Sequence, residues 1–290
     1  MYNIAMPSSL DYLISAQHES GGWGYKTGHR PVVEPTAVVL LALRDEPAAK
    51  ESFQRGMTWL LNCQNQDGGW GINEIDTESG WQTAWGLIIM KASKQKSDAI
   101  SKAEYWLTNV ATYLVSQEEL LKPEVPQSSE IGALVWPWLP RQAGWIEPTA
   151  LALLALKGVT EPPLVLARIS AALSYFQYYR TSTGGWNVGN AGPLDKGVQP
   201  RAFPTGLVLL ALAGSSPKNI QTIDLQALQQ DMKRDPGMLA QGIGLLALRV
   251  LGINDDSLIG YLSENQLSDG SWEHNPFVTA WAALGLKGYI

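Results

Sequence analysis

A chain of 290 residues, 45% hydrophobic and only 17% charged, carries enough apolar sequence for a large buried core, and no Ser/Gly linker or charge block divides it. A net charge of −6 and a pI near 5.2 argue against a nucleic-acid partner, because there is no basic stripe to neutralise phosphates. The single Cys63 excludes internal disulfides, and the scattered His18, His29 and His274 lack the spacing of a zinc site, so neither metal nor other cofactor is expected.

The first unit of the chain opens on the pair Tyr12-Leu13 and continues through Gln17 to Trp23 in the pattern Gln-x-x-x-Gly-x-Trp. After a loop come Glu34-Pro35-Thr36-Ala37 and the run 38–43, apolar nearly all round, which predicts a helix buried on more than one face. Segment 49–62 is amphipathic, ends on Trp59-Leu60 and leads into a second copy of the motif, Gln64 to Trp70. Asp76, Glu78 and Trp81 precede Thr83-Ala84, Trp85 and the apolar run 87–90, and an amphipathic segment 99–115 follows. Residues 120–144 break the pattern. Pro123, Pro126, Pro137 and Pro140 preclude a long helix, while the stretch 131–139, with Trp136 and Trp138, is too apolar for a solvated loop.

The pattern resumes at Glu147-Pro148-Thr149-Ala150, with an apolar run 151–156 and an amphipathic segment 164–179. A degenerate motif spans Arg180 to Trp186, with Arg180 in place of Gln, before Phe203, Thr205-Gly206 and the run 207–212. Gln241-Gly242 starts the run 243–251 at the point where the spacing calls for a further unit, one that has lost its Trp. The amphipathic segment 255–265 contains Tyr261-Leu262, and the last motif, Gln266 to Trp272, leads to Phe277, Thr279-Ala280 and Trp281.

Repetition on this scale implies supersecondary units that cannot bury their apolar faces alone and close on one another. Six apolar inner helices and six amphipathic outer helices predict an all-α fold, an α6/α6 toroid, as a single domain over 1–290. The motif glycines supply sharp turns, the Gln satisfies free backbone groups at helix ends, and the Trp covers each junction. All six inner N-termini then converge on one end, which brings Trp81, Trp85, Phe203, Phe277 and Trp281 together there. The insertion 120–144 is expected to lie across or beside one mouth with Trp136 and Trp138 as its anchors; contact with a membrane or a partner subunit through 131–140 is the other expectation. Residues 1–10 lack the basic region and apolar core of a signal peptide, and no run approaches the ~18 apolar residues of a span, so a cytoplasmic protein is expected.

The Gln/Gly/Trp motifs, the Thr-Ala helix starts and the alternating helices resemble the terpenoid cyclase and protein prenyltransferase superfamily, and in particular a single barrel domain of squalene-hopene cyclase. In those cyclases the place of Val32-Val33-Glu34-Pro35-Thr36-Ala37 reads Asp-x-Asp-Asp-Thr-Ala, and its middle Asp protonates the terminal alkene or epoxide. The resemblance therefore implies Glu34 as the proton donor, with Val32 and Pro35 where the other two carboxylates stand. The duplicate at Glu147 makes it the second candidate acid, and Asp76 and Glu78 are reserve acids. Aromatic π faces that stabilise a moving carbocation are implied at Trp81, Trp85, Phe203, Phe277 and Trp281. The zinc ligands of the prenyltransferase branch have no match here. The expected activity is protonation-initiated cyclisation of an apolar polyprenyl substrate in the central cavity, without metal because no diphosphate is ionised. An isoprenoid- or lipid-binding barrel without catalysis, or one that docks a partner, is the alternative, and a carbohydrate-active barrel with two carboxylates is a third.

Overall fold

Residues 8–94, 97–112, 134–188 and 197–289 of this computed structural model are described, and among them there are twelve α-helices and no strand. The apolar runs form α2 (Val33–Leu43), α4 (Gln82–Ala92), α6 (Ile146–Ala155), α8 (Ala202–Ser215), α10 (Met238–Val250) and α12 (Pro276–Lys287). Every residue of α2 is buried, as an apolar circumference requires. The amphipathic segments form α3 (Lys50–Asn62), α5 (Asp98–Asn109), α7 (Pro163–Tyr178) and α11 (Asp256–Glu264), and two helices not singled out in the sequence, α1 (Ser9–Ser15) and α9 (Thr222–Arg234), complete the outer set.

The inner helices close a ring. Helix α2 packs on α4, α4 on α6, α6 on α8, α8 on α10, α10 on α12, and α12 returns to α2. Outside it, α1 lies against α12, while α3, α5, α7, α9 and α11 lie against α2, α4, α6, α8 and α10. This is the α6/α6 toroid. Residues 113–133, most of the expected insertion, lie outside the described residues.

One set of hydrogen bonds recurs around the ring. Indole Nε1 donates to the carbonyl two residues before the end of the outer helix: Trp23 to Leu13, Trp70 to Leu60, Trp136 to Leu107, Trp186 to Phe176 and Trp272 to Leu262, all at 2.7–2.8 Å. The backbone N–H of each Trp donates to the hydroxyl of the helix-start Thr: Thr36, Thr83, Thr149, Thr205 and Thr279 in turn. All five indoles are buried, and each removes roughly 150–250 Å² from water, on the order of 4 kcal/mol. Trp136 is one of these five. It is 2% exposed and serves as the wedge of the third unit, which corrects the expectation that it anchors a segment at the mouth. The sixth unit replaces the indole with Gln241, whose Nε2 donates to Met232, again two residues before the end of its outer helix.

The motif Gln ties successive outer helices. Gln17 Nε2 donates to Gly21 and to Ser52 in the first turn of α3, and Gln64 Nε2 donates to Gly68 and to Ala99 in the first turn of α5. Arg180 does the same work by charge. Its guanidinium grips Asp224, a fully buried carboxylate in the first turn of α9, at 2.8 and 3.1 Å. The motif turn itself needs glycine: Gly68 has φ +93°, and a Cβ there would stand 2.7 Å from the Lys102 carbonyl of α5. Glu34 and Glu147 are each the second residue of their helix, with Pro35 and Pro148 third. The third position lacks an intrahelical claim on its N–H, so proline costs no bond there.

Candidate active site at the N-terminal mouth

The helix-start threonines set a common register. Two residues before each Thr, or before Gln241 in the sixth unit, stand Glu34, Trp81, Glu147, Phe203, Leu239 and Phe277. Read around the ring from α2 to α12, the order is acid, Trp, acid, Phe, Leu, Phe, one from each inner helix. One turn deeper come Val38, Trp85, Leu151, Leu207, Ile243 and Trp281.

Contacts between helices that are not neighbours show that these layers face the lumen. Trp281 of α12 meets Trp85 of α4 at 5.9 Å and Phe203 of α8 at 5.8 Å between ring centroids, both edge to face. Phe277 packs on Trp281 at 6.2 Å and on Tyr25 at 5.5 Å. Trp85 and Trp281 are fully buried, whereas Trp81, Phe203 and Leu239 at the rim are half-buried. Trp138 stands over Trp81 at 4.9 Å and 90°, and its carbonyl accepts the Trp81 N–H. Of the two residues expected to anchor the insertion at this mouth, Trp138 is thus at the rim and Trp136 is in the wall.

Glu34 is 8% exposed, and burial pushes its carboxyl up to about 7 against the helix dipole, which favours the anion. The Tyr25 hydroxyl donates to Glu34 Oε2 and pulls in the other direction. The Trp85 indole also favours the ionised form, although its N–H is not aligned for a hydrogen bond and, like that of Trp281, is buried without a partner. Glu147 is half-buried and is likewise pushed up to about 7, first by burial and then by the charge of Glu34. The two acids lie on α2 and α6, with α4 between them, so this coupling acts across the mouth. Tyr25 is 40% exposed, and its hydroxyl is pushed up by desolvation and then by the charge on Glu34.

The arrangement can hold a proton at neutral pH in a mostly aromatic enclosure, and it supplies donors that stabilise the carboxylate once the proton leaves. Tyr25 escaped the sequence reading because it sits in an irregular loop with no counterpart in the other units. The reserve acids lie elsewhere: Asp76 is spent on the amides of Ile72 and Glu78 in its own loop, and Glu78 is exposed. Among the described residues no three His, Cys, Asp or Glu side chains gather as metal ligands would.

Three cations cap helix ends at the opposite mouth, where Lys91 also pairs with Glu104 and Lys287 with Glu46. Lys91 donates to the Ala155 and Lys157 carbonyls at the end of α6, Lys287 to Ala42 at the end of α2, and Arg249 to Gly285 and Leu286 at the end of α12. Cations there complement the negative ends of the helices. A cavity of about 510 Å³, walled by Ile88, Leu154, Leu210 and Val250, opens between the last turns of α4, α6, α8 and α10. No described helix is long and apolar enough to cross a membrane.

No protein-family model matches the chain, and no curated protein is similar to it. Solved structures resemble it over nearly its whole length. A protein from Actinoplanes has a TM-score of 0.66 at 18% identity over 97% of both chains. The type II terpene cyclase MstE from Scytonema, in complex with its substrate geranylgeranyl dihydroxybenzoate, has 0.63 at 17% identity, over 96% of this chain and 94% of that one. An alpha-amylase from Clostridium perfringens has 0.67 at 10% identity, over 98% and 97%. At such identities the likeness is one of fold: the chain shares its all-helical architecture with a type II terpene cyclase and with an alpha-amylase.

Proposed function

We propose that the protein is a terpenoid-cyclase-like enzyme that starts cyclisation of an apolar polyprenyl substrate by protonation at the N-terminal end of the inner ring, with Glu34 as the proton donor. The observation that carries this reading is the surrounding of Glu34: a buried carboxyl held near 7, with the Tyr25 hydroxyl bonded to it and the Trp85 indole beside it. An alkene or epoxide is a weak base, so its acid must be dry and protonated, and its conjugate base must be stabilised as the proton departs. Burial provides the first, and Tyr25 with Trp85 the second. Trp85, Phe203, Phe277 and Trp281 would then offer π faces to the cation, with Trp81 and Trp138 at the entrance. Glu147, whose carboxyl is raised to about 7 first by burial, is the second acid. Structural likeness to a cyclase crystallised with a geranylgeranyl substrate supports the substrate class.

Incubation of the protein with squalene, oxidosqualene and geranylgeranyl diphosphate, followed by mass spectrometry of the extracts, tests the proposal. A cyclic product that disappears in Glu34→Gln is the expected result. Unchanged lipid that co-purifies with both proteins would make this a carrier. The pair of acids and the likeness to an alpha-amylase favour one other reading, glycoside hydrolysis, in which one carboxyl works protonated and the other ionised. Release of reducing sugar from starch by wild type, and its loss in either Glu→Gln variant, would replace the cyclase reading.

A further inference from the structure

The C-terminal ends of the inner helices share a register, as their N-terminal ends do. Eight residues after each helix-start Thr, or after Gln241, stand Arg44, Lys91, Lys157, Ala213, Arg249 and Lys287, five bases and one alanine. Three of the bases tie one helix to the next around the ring. Lys91 donates from α4 to the end of α6, Arg249 from α10 to that of α12, and Lys287 from α12 to that of α2. Arg44 pairs with Asp45 and lies over the Tyr289 ring. Lys157 is the exception. Its stem crosses from α6 to Gly214 of α8, where a Cβ would stand 3.6 Å from Nζ, and the ammonium meets neither an acceptor nor a carboxylate among the described residues.

Two successive ties are thus missing, from α6 to α8 and from α8 to α10, the second because Ala213 is too short to make one. The cavity of about 510 Å³ lies at this gap. That is the size range of small-molecule sites. Its deeper wall is Ile88, Leu154 and Leu210, which stand five places after their helix-start Thr, and Ala92 and Gly214 leave room one turn further on. Val250 at its edge is 39% exposed. Toward the other mouth, Trp85 of α4 and Phe203 of α8 each meet Trp281 of α12 edge to face across the lumen. The cavity shares no wall residue with that aromatic level or with the acids beyond it.

We propose that the C-terminal mouth of the inner ring binds an aliphatic carboxylate, with its chain in the gap over Ile88, Leu154 and Leu210 and its head group on the Lys157 ammonium. An alkyl chain covers apolar side chains that otherwise face water, and each methylene adds to affinity through the surface it removes. The carboxylate supplies the acceptor that the other four bases of this register already have. A cationic head group would meet Lys157 and Lys91 as like charges, and an uncharged one would leave Lys157 unmatched. The site is separate from the one proposed at Glu34.

Calorimetric titration of the full chain with octanoate tests this. Saturable binding is expected, with affinity rising about fourfold per methylene from hexanoate to octanoate. Octanol should bind about three- to fivefold more weakly than octanoate, and Lys157→Gln should remove that difference. Gly214→Leu is the blocking variant. A Cβ at Gly214 makes only ordinary contacts, all with the flexible Lys157 side chain, and leucine is the better helix former, so Tm should hold or rise while octanoate binding weakens by about tenfold or more. Glu34→Gln should leave octanoate affinity unchanged, which reads this site apart from the cyclase proposal. Absence of saturable binding, unchanged affinity in a folded Gly214→Leu protein, octanol bound as tightly as octanoate, or loss of octanoate binding in Glu34→Gln would overturn the assignment.

Discussion

Trp136 Nε1 donates to the Leu107 carbonyl at 2.8 Å across 29 residues of sequence, the bond that Trp23, Trp70, Trp186 and Trp272 each make across 10. The third unit therefore has the same wedge as its neighbours, delivered from a longer excursion. A buried charge lies beside it: Arg168 stands 4.5 Å from the Trp136 ring and donates to the carbonyls of Thr108 and Val110 at the end of α5.

Trp136→Ser should accordingly be a folding mutation. Loss of a buried indole and its hydrogen bond costs about 3–5 kcal/mol, read as a lower midpoint of urea unfolding. Trp138→Ser removes a half-buried ring at the mouth and should cost well under half of that. If Trp138→Ser changed substrate uptake while stability held, the rim position of Trp138 would be functional.

Arg180→Gln restores the motif residue of the other units, yet it should destabilise the protein. Asp224 would be left buried beside an uncharged amide, a loss of about 3–5 kcal/mol for a broken buried pair. The double variant Arg180→Gln, Asp224→Ala removes the unpaired charge but leaves the Gly185 and Gln221 amides without their acceptor, so it should recover only part of the loss. A thermal melt of the three proteins decides between charge loss and a general packing defect.

The two acids make stability depend on pH. Their carboxyls stand at about 7 in the folded protein against an ordinary 4.5, so between those values the folded state holds protons that the unfolded chain has released. Stability from this source is complete below the lower value and is lost as pH rises through about 7. Glu34→Gln should flatten that part of the curve by on the order of 2 kcal/mol, measured by unfolding at a series of pH values. Turnover that needs protonated Glu34 should fall over the same range.

Tyr25→Phe removes the donor on Glu34 Oε2. The Glu34 carboxyl should rise by roughly one further pH unit, because a hydrogen bond to the charged form has been lost. Isotope-edited NMR of the glutamate side chains reads this directly. A turnover rate that drops while the alkaline limb of its pH profile moves up would assign Tyr25 to stabilising the departing carboxylate; a pH profile that stays in place would not.

Much of the architecture was readable in the sequence because its causes are local. Apolar circumference, amphipathic stripe and a turn motif repeated with its glycines act within a few residues, and they identified the inner helices, four of the six outer helices and the unit that lacks its Trp. Glu34 was named as a candidate acid through the resemblance to the cyclases, and Glu147 because it repeats the same Glu-Pro-Thr-Ala sequence. What only the tertiary structure decided depends on neighbours far apart in the chain. The Trp136–Leu107 bond joins residues 29 apart, so proline content and apolarity suggested an anchor at the mouth for Trp136 where the structure has it in the wall. Tyr25 reaches Glu34 from a loop without a counterpart in the other units, and Glu147 feels the charge of Glu34 across the mouth from α6. The alternation of acids and aromatics exists only once six helices close a ring, because closure brings six separated positions to one level and dries the carboxyls among them.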